Sequence, residues 1–262
     1  MKKKRILSFL LATVMASGLL AGCSSDEGKK GSGKEEGGKK DSIVIATMGE
    51  TPSLSPTEHN AVAGSYMNLL TYNTLFKTSM TLEPVPDLVD SYENVDESTW
   101  HFKIKEGVKF HNGEEMTADD VVTSITYAKT CPEINLYNAS VEKIEKVDDY
   151  TVKLTVNEPS SDIIMVLASP IQFAAIYPKS VVDSASDEGV KEYIGTGPYK
   201  VAEWKQDQYV KLEKNEDYQP AKGKSSGLAG AKNAQADTIT FNIVTDTATR
   251  IALGRNEGFC MG

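Results

Sequence analysis

Residues 99–122 read TWHFKIKEGVKFHNGEEMTADDVV, and the reading of the whole chain grows from them. Trp100, Phe102 and Ile104 alternate with His101, Lys103 and Lys105, the period of a strand with one buried face and one wet face. Glu106-Gly107 interrupts that alternation, Val108-Lys109-Phe110 makes a second short strand-like run, and Asn112-Gly113 is a strong turn dipeptide. Thr117 with Asp120 three residues on fits a capping box, in which a hydroxyl and a carboxylate satisfy orphan N–H groups at a helix start. Val121, Val122, Ile125 and Ala128 follow at helical spacing, and Pro132 bars continuation much beyond Cys131. The local expectation is strand, turn, strand, turn, capped helix.

On these residues the chain resembles the family 5 extracellular solute-binding proteins, the peptide- and nickel-binding lipoproteins that feed ABC importers. In that family a Phe-rich strand and a basic residue lead into Glu-Gly-Val-x-Phe, His-x-Gly and Thr-Ala-x-Asp-Val; here the run stands as FKIKEGVKFHNGEEMTADDVV. A second block, GTGPYKVAEWKQDQYVKLEKNEDY at residues 195–218, is similar to another family segment, and the resemblance spans residues 43–250. It implies an α/β protein with a periplasmic-binding-protein-like (type 2) first lobe and a small inserted α/β domain. Residues 42–61 and 183–250 are expected in lobe I, and residues 62–182 in the inserted domain. The second ligand lobe is expected to be missing. Residues 251–262 depart from the Gly-acidic-x-Asp element that relatives carry there, so that end is read as truncated or frameshifted, and the isolated chain is expected to bind peptide no tighter than about millimolar.

Composition agrees without deciding. Of 262 residues, 40% are hydrophobic and 25% charged, ordinary for a globular protein of one or two domains. A net charge of −9 argues against a nucleic-acid partner, which needs a basic footprint. The basic residues Lys2, Lys3, Lys4 and Arg5 precede a short apolar run at residues 6–20, the pattern of a signal peptide and too brief for a comfortable membrane span. Leu20-Ala21-Gly22-Cys23 matches the bacterial lipobox, which implies cleavage before Cys23 and lipid on its thiol. Residues 23–41 then form a flexible tether, with no apolar residue to bury between Ser24 and Lys40. Gly28 to Lys34 fits the first seven positions of a P-loop, but Glu35 stands where a magnesium-binding hydroxyl is needed and no strand precedes it, so it is read as composition.

Along the folded body, Ser42-Ile43-Val44-Ile45-Ala46 suits a buried strand, and Glu50 to Pro56 is extended and irregular because Pro52 and Pro56 restrict it. The resemblance sets this segment at the edge of the ligand cleft, with Glu50, Thr51, Pro52 and Ser53 as ligand-binding candidates; a surface loop is the alternative. Glu50 is the residue whose carboxylate would meet a peptide amine or backbone N–H. Residues 60–77 read as an amphipathic helix ahead of a short strand, and residues 82–92 as a Pro-rich connection with one helical turn. Residues 141–147 and 152–156 make a hairpin about Asp148-Asp149, residues 163–167 a short buried helix capped by Ser161, and Pro178 opens a helical turn. Gly195-Thr196-Gly197-Pro198 turns into a pair of strands at 199–204 and 209–213; a strand at 238–244 and a helix capped by Asp246 follow a polar loop at 221–236.

No catalytic constellation appears. His59, His101 and His111 have no metal-ligand spacing, and Asp119-Asp120 complements a helix dipole more simply than it makes an acid pair. There is no G-x-S-x-G and no H-E-x-x-H, and the three cysteines give no framework: with Cys23 assigned to lipid, Cys131 and Cys260 are left as an unproven pair. Catalytic residues, metal ligands and cofactors are therefore expected to be none. The expected function is a binding lipoprotein that captures oligopeptides or dipeptides outside the membrane and hands them to an ABC transporter permease. It is expected to be a monomer when complete, lipid-anchored on the extracytoplasmic side of a bacterial envelope. Nickel complexes, haem and oligosaccharides are the alternative solutes within the resemblance, and a lipid-anchored hydrolase is the alternative class.

Overall fold

The computed structural model describes residues 41–59, 61–254 and 259–261. The expected signal peptide, Cys23 as the expected lipid-attachment residue, the expected tether up to Lys40 and the P-loop look-alike lie outside the described residues, as does part of the atypical end at 251–262.

In chain order the elements are β1 (Ser42–Thr47), α1 (Val62–Thr71), β2 (Phe76–Thr78), β3 (Pro84–Pro86), β4 (Val89–Asp96), β5 (Thr99–Ile104) and α2 (Ala118–Ala128). A 3-10 turn at Pro132–Ile134 leads to α3 (Asn135–Ser140), β6 (Val141–Asp148), β7 (Thr151–Val156), α4 (Ile163–Ala168) and α5 (Lys179–Asp183). The chain continues through β8 (Tyr199–Lys205), β9 (Tyr209–Lys214), β10 (Thr238–Ile243), α6 (Thr247–Gly254) and β11 (Phe259–Met261).

Two larger sheets organise these elements. One runs β11-β1-β10-β9-β8, with β1 parallel to both β10 and β11 and the β10-β9-β8 run antiparallel. The other is antiparallel in the order β4-β5-β7-β6. The 99–122 stretch belongs to the second sheet, apart from Ile43 to Ile45 in β1. Phe102 and Ile104 on β5 meet Val152 and Leu154 on β7 beneath Val121 and Ile125 of α2, and all six are fully or almost fully buried. Each contributes on the order of 1.5–3 kcal/mol by leaving water. A smaller cluster of Leu54, Val210, Leu212, Ile239 and Phe241 sits on the first sheet and includes Met67 of α1. The helix assigned from sequence to the inserted segment thus packs on the first sheet.

The capping box forms as read: the Asp120 carboxylate accepts the Thr117 N–H at 2.8 Å and its hydroxyl at 2.9 Å. Three local expectations fail. The 82–92 connection has no helical turn; β3 pairs with β2, placing Pro84 and Pro86 opposite Thr78 and Phe76, and β4 follows at once. A two-stranded ribbon leaves one side of β3 without ladder demands, so prolines are tolerated there. The second run, Val108 to Phe110, is a single bridge of Lys109 to Glu115 with Phe110 buried, because Gly107 and Gly113, both at positive φ, fold it into a tight loop. Finally, α4 begins at Ile163 with no side-chain cap from the flanking Asp162, and it is Ser160, not Ser161, whose hydroxyl accepts the Asp162 N–H.

Between the sheets a third cluster joins Tyr72, Phe173, Ala175, Tyr177, Val181 and Val190. Here Ser55 Oγ and Tyr177 OH lie 2.8 Å apart, Tyr177 OH donates to Thr57 Oγ1 at 3.1 Å, and Thr57 Oγ1 accepts the Ala175 N–H at 3.2 Å. These buried bonds hold the loop after β1 against the segment after α4. Gly195 and Gly197 pass so close to the end of α1 that a side chain on either would collide with the carbonyls of Thr71 or Leu70. Gly197 instead donates its N–H to Thr71 O at 2.9 Å.

Candidate functional site

The loop leaving the carboxyl end of β1 is the natural place for a ligand in an α/β sheet, and its parts do different things. Glu50 is turned toward the sheet: Oε1 accepts Trp204 Nε1–H at 3.2 Å and Oε2 accepts the Asp207 N–H at 2.8 Å. Thr51 is buried and donates to Ser53 O at 2.5 Å; Ser53, also buried, accepts the Ser55 N–H at 3.0 Å. Pro52 is the exposed member of the four. Thr51 lies against Gly64, where an added Cβ would stand 2.8 Å from Thr51 Oγ1, so the loop presses directly on α1.

Farther along the same loop a recess of about 390 Å³ opens. Pro56 and His59 form one side; Val62, Ser65 and Leu69 of α1 form the next; Pro170, Ile171 and Phe173 close the third. Val62 and Ile171 are 73% and 64% exposed at its rim. The remaining lining residue is Asn68, only 4% exposed, whose Oδ1 has no hydrogen-bond partner. α1 starts at this recess with no side-chain cap from Ala61, so the positive end of its dipole favours a carbonyl or carboxylate oxygen there, while the Gly64 N–H bonds to Ala61 O at 3.0 Å. Sequence reading reached the loop but stopped at Ser53. Val62, Asn68 and Ile171 carried no signal beyond an ordinary amphipathic helix and an apolar run.

The other candidates do structural work. His111 receives the Gly195 N–H on Nδ1 at 3.2 Å and lies 3.1 Å through Nε2 from Gly197 O, so the neutral ring staples the glycine turn; burial lowers it to about 4. His101, on β5, stands 3.6 Å from Glu93. Asp119 pairs with Lys146 at 2.7 Å, and Asp120, beyond its capping role, accepts the Lys179 N–H at 2.7 Å. Cys131 directs its thiol to Tyr127 O at 3.6 Å, while Cys260 lies on β11 opposite Ile45. Lys77 and Asp87 form a buried pair at 3.0 Å, and Lys232, donating to Leu69 O at 3.3 Å, is brought down to about 7 by burial first and by Lys77 second. Among the described residues no three His, Cys, Asp or Glu side chains are placed to hold a metal ion.

Residues 83–259 match the model described as "Bacterial extracellular solute-binding proteins, family 5 Middle". The oligopeptide-binding protein AppA of Bacillus subtilis is 28% identical over 96% of this chain and 47% of its own length. The glutathione-binding protein GsiB of Pectobacterium atrosepticum is 33% identical over 80% of this chain and 39% of its own. The solved structure of AppA from Bacillus subtilis with a nonapeptide superposes with a TM-score of 0.69 at 27% identity, covering 82% of this chain and 42% of that one. The chain thus spans less than half the length of these relatives.

Proposed function

The chain belongs to the bacterial extracellular solute-binding proteins of family 5, and from that premise we propose that it takes part in capturing a peptide-like solute for an ABC importer. The relatives named above are binding proteins, not enzymes. The observation that carries the peptide reading is the recess at the uncapped start of α1, beyond the carboxyl end of β1. An extended peptide offers backbone carbonyls to the helix N–H groups and side chains to the apolar lining, an arrangement that holds many sequences.

In this reading Glu50, Thr51 and Ser53 act from behind: Glu50 anchors the loop to Trp204 and Asp207, and Thr51 and Ser53 set its path against α1. Pro52, exposed on the same loop, is the member of that group left to touch solute. Residues 42–61 and 183–250 act as the first lobe, and the β4-β5-β7-β6 sheet is the core of the inserted domain. Cys23 carries the lipid that keeps the protein on the extracytoplasmic side beside its permease, since acyl chains contribute about 0.8 kcal/mol per buried methylene.

Nitrogen-15 NMR of the chain, titrated with a mixture of short peptides to several millimolar, tests the solute reading. Shifts confined to residues 56–69 and 170–173 are expected. Shifts elsewhere, or none, would remove it. Mass spectrometry of the membrane fraction tests the anchor: an unmodified thiol on Cys23 of a membrane-associated protein would refute that part alone.

A further inference from the structure

The β2–β3 hairpin ends in a tip, Ser79 to Glu83, that sets two large apolar side chains in water: Met80 is 77% exposed and Leu82 71%. One such residue alone is ordinary on a protein surface. Leu82, however, stands at a φ of 62°, a left-handed conformation that strains a residue with a Cβ and that glycine or asparagine adopts more easily. No burial of its side chain offsets the strain. The conformation is nonetheless fixed: Ser79 O accepts the Leu82 N–H at 3.0 Å, the Ser79 N–H donates to Glu83 O at 2.9 Å, and Ser79 Oγ accepts the Glu83 N–H at 3.1 Å. A second loop braces the tip, with Ser226 Oγ accepting the Met80 N–H at 3.3 Å and the Leu228 N–H donating to Thr78 O at 3.1 Å. Strain that the surroundings hold in place points to a side chain whose position is used.

The bracing loop also supplies charge. Lys222 and Lys224 are exposed on it without an ion-pair partner among the described residues, in a chain of net charge −9. Glu83, at the base of the tip, has its carboxylate engaged by the Thr81 hydroxyl at 3.0 Å. The same loop runs on to Asp237, whose N–H donates to Asp41 O at 3.1 Å, where the expected tether joins the folded body. Asp237 follows Leu228 by nine positions, so the brace lies within about 32 Å of that junction. A flexible coil of the length of residues 24–40 reaches on the order of 20–25 Å. A surface that holds Cys23 is therefore within range of the tip, at the high effective concentration that tethering confers.

Resting on the reading that Cys23 carries lipid, we propose that the 79–83 tip, with Lys222 and Lys224 beside it, docks on an anionic lipid surface. Met80 and Leu82 enter the headgroup boundary, and the two ammonium groups face lipid phosphates. Docking restrains a body that the tether alone would leave free to turn above the membrane.

The full lipidated chain, purified from the membrane fraction, is reconstituted into vesicles of phosphatidylethanolamine and phosphatidylglycerol that include a phospholipid with a photoactivatable acyl chain. After illumination, labelled tryptic peptides are mapped by mass spectrometry. The peptide of residues 78–103 is expected to be labelled, and Met80→Ser with Leu82→Asn to lower that labelling at least fivefold. Asparagine accepts the left-handed backbone, so the thermal stability of this variant should not fall. Lys222→Glu with Lys224→Glu should lower the labelling at least twofold. Label confined to residues 23–40, or equal labelling of residues 78–103 in the unaltered chain and the Met80, Leu82 variant, would overturn the docking while leaving the anchor. A tip unlabelled in vesicles but crosslinked to a protein in native membranes would overturn the lipid surface in favour of a protein socket. A chain that carries no lipid and does not sediment with vesicles would overturn the anchor, and this inference with it.

Discussion

His111 gives the fold a weakness toward acid whose size follows from its setting. Its ring is held neutral at about 4 by burial, against about 6.5 in an unfolded chain. Between those values the unfolded state binds a proton that the folded state refuses, so stability must fall as pH falls. The contribution is fully present above the unfolded value and is lost progressively from about 6.5 down to about 4. At pH 5 the unfolded imidazole is almost wholly charged and the folded one mostly neutral, which corresponds to about 2 kcal/mol lost relative to pH 7. Carboxylates such as Glu145, held down by Lys153 and Lys143, and Asp148, held down by the Tyr150 N–H, start to weaken the fold only around their ordinary values of 4.5 and 3.8, at the acid end of this window and below it. Urea unfolding followed by Trp100 and Trp204 fluorescence at pH 7, 6 and 5 measures the effect. His111→Gln should be less stable at pH 7 and lose far less than the unaltered protein between pH 7 and 5. Parallel losses in the two proteins would refute the assignment of this proton to His111.

Three further outcomes follow from the same interior. Lys232 sheds its proton near pH 7 in the folded protein but holds it to about 10.4 when unfolded, so stability should rise from pH 7 toward pH 10, and Lys232→Met should flatten that rise in urea melts. Asp87→Ala strands the buried Lys77 ammonium and should cost about 3–5 kcal/mol; Lys77→Met with Asp87→Leu should recover most of it, and a double variant no better than Asp87→Ala would show that charge burial is not the cause. Gly197→Ala drives a methyl into the backbone of Leu70 and Thr71 and should lower stability by about 2 kcal/mol or more, whereas Gly107→Ala, with open space but a φ of 74°, should cost about 1 kcal/mol by thermal unfolding.

What the sequence disclosed and what it hid divide along physical lines. The β5 alternation, the Thr117–Asp120 box and the β6-β7 and β8-β9 hairpins are local, each written within a few residues, and each formed. The β3 strand was hidden because its pairing with β2 depends on an edge position that no window of sequence reveals, and two prolines argued against it. The recess was hidden for a related reason. Its three sides come from residues 56–59, 62–69 and 170–173, and the last of these is brought to the others by tertiary contacts, among them Thr57 Oγ1 donating to Phe173 O and Phe173 packing with Tyr72 and Leu69. Glu50 drew notice as an acid on an irregular loop, yet its partners, Trp204 and the Asp207 N–H, lie far along the chain. Residue type announced it; only tertiary contact showed what its carboxylate meets.

The parallel placement of β1 beside β10 also sets a timetable for biosynthesis. Residues 42–47 are among the first of the folded body to emerge from a ribosome, but their partners are residues 238–243, 196 positions later. At the usual pace of synthesis, about 5–20 residues per second, that strand waits on the order of 10–40 seconds for its neighbour. The β4-β5-β7-β6 sheet, whose strands all fall between residues 89 and 156, has its full complement much sooner. The nascent chain therefore forms its antiparallel sheet while strand β1 still lacks its neighbours, and the sheet built on β1 closes late.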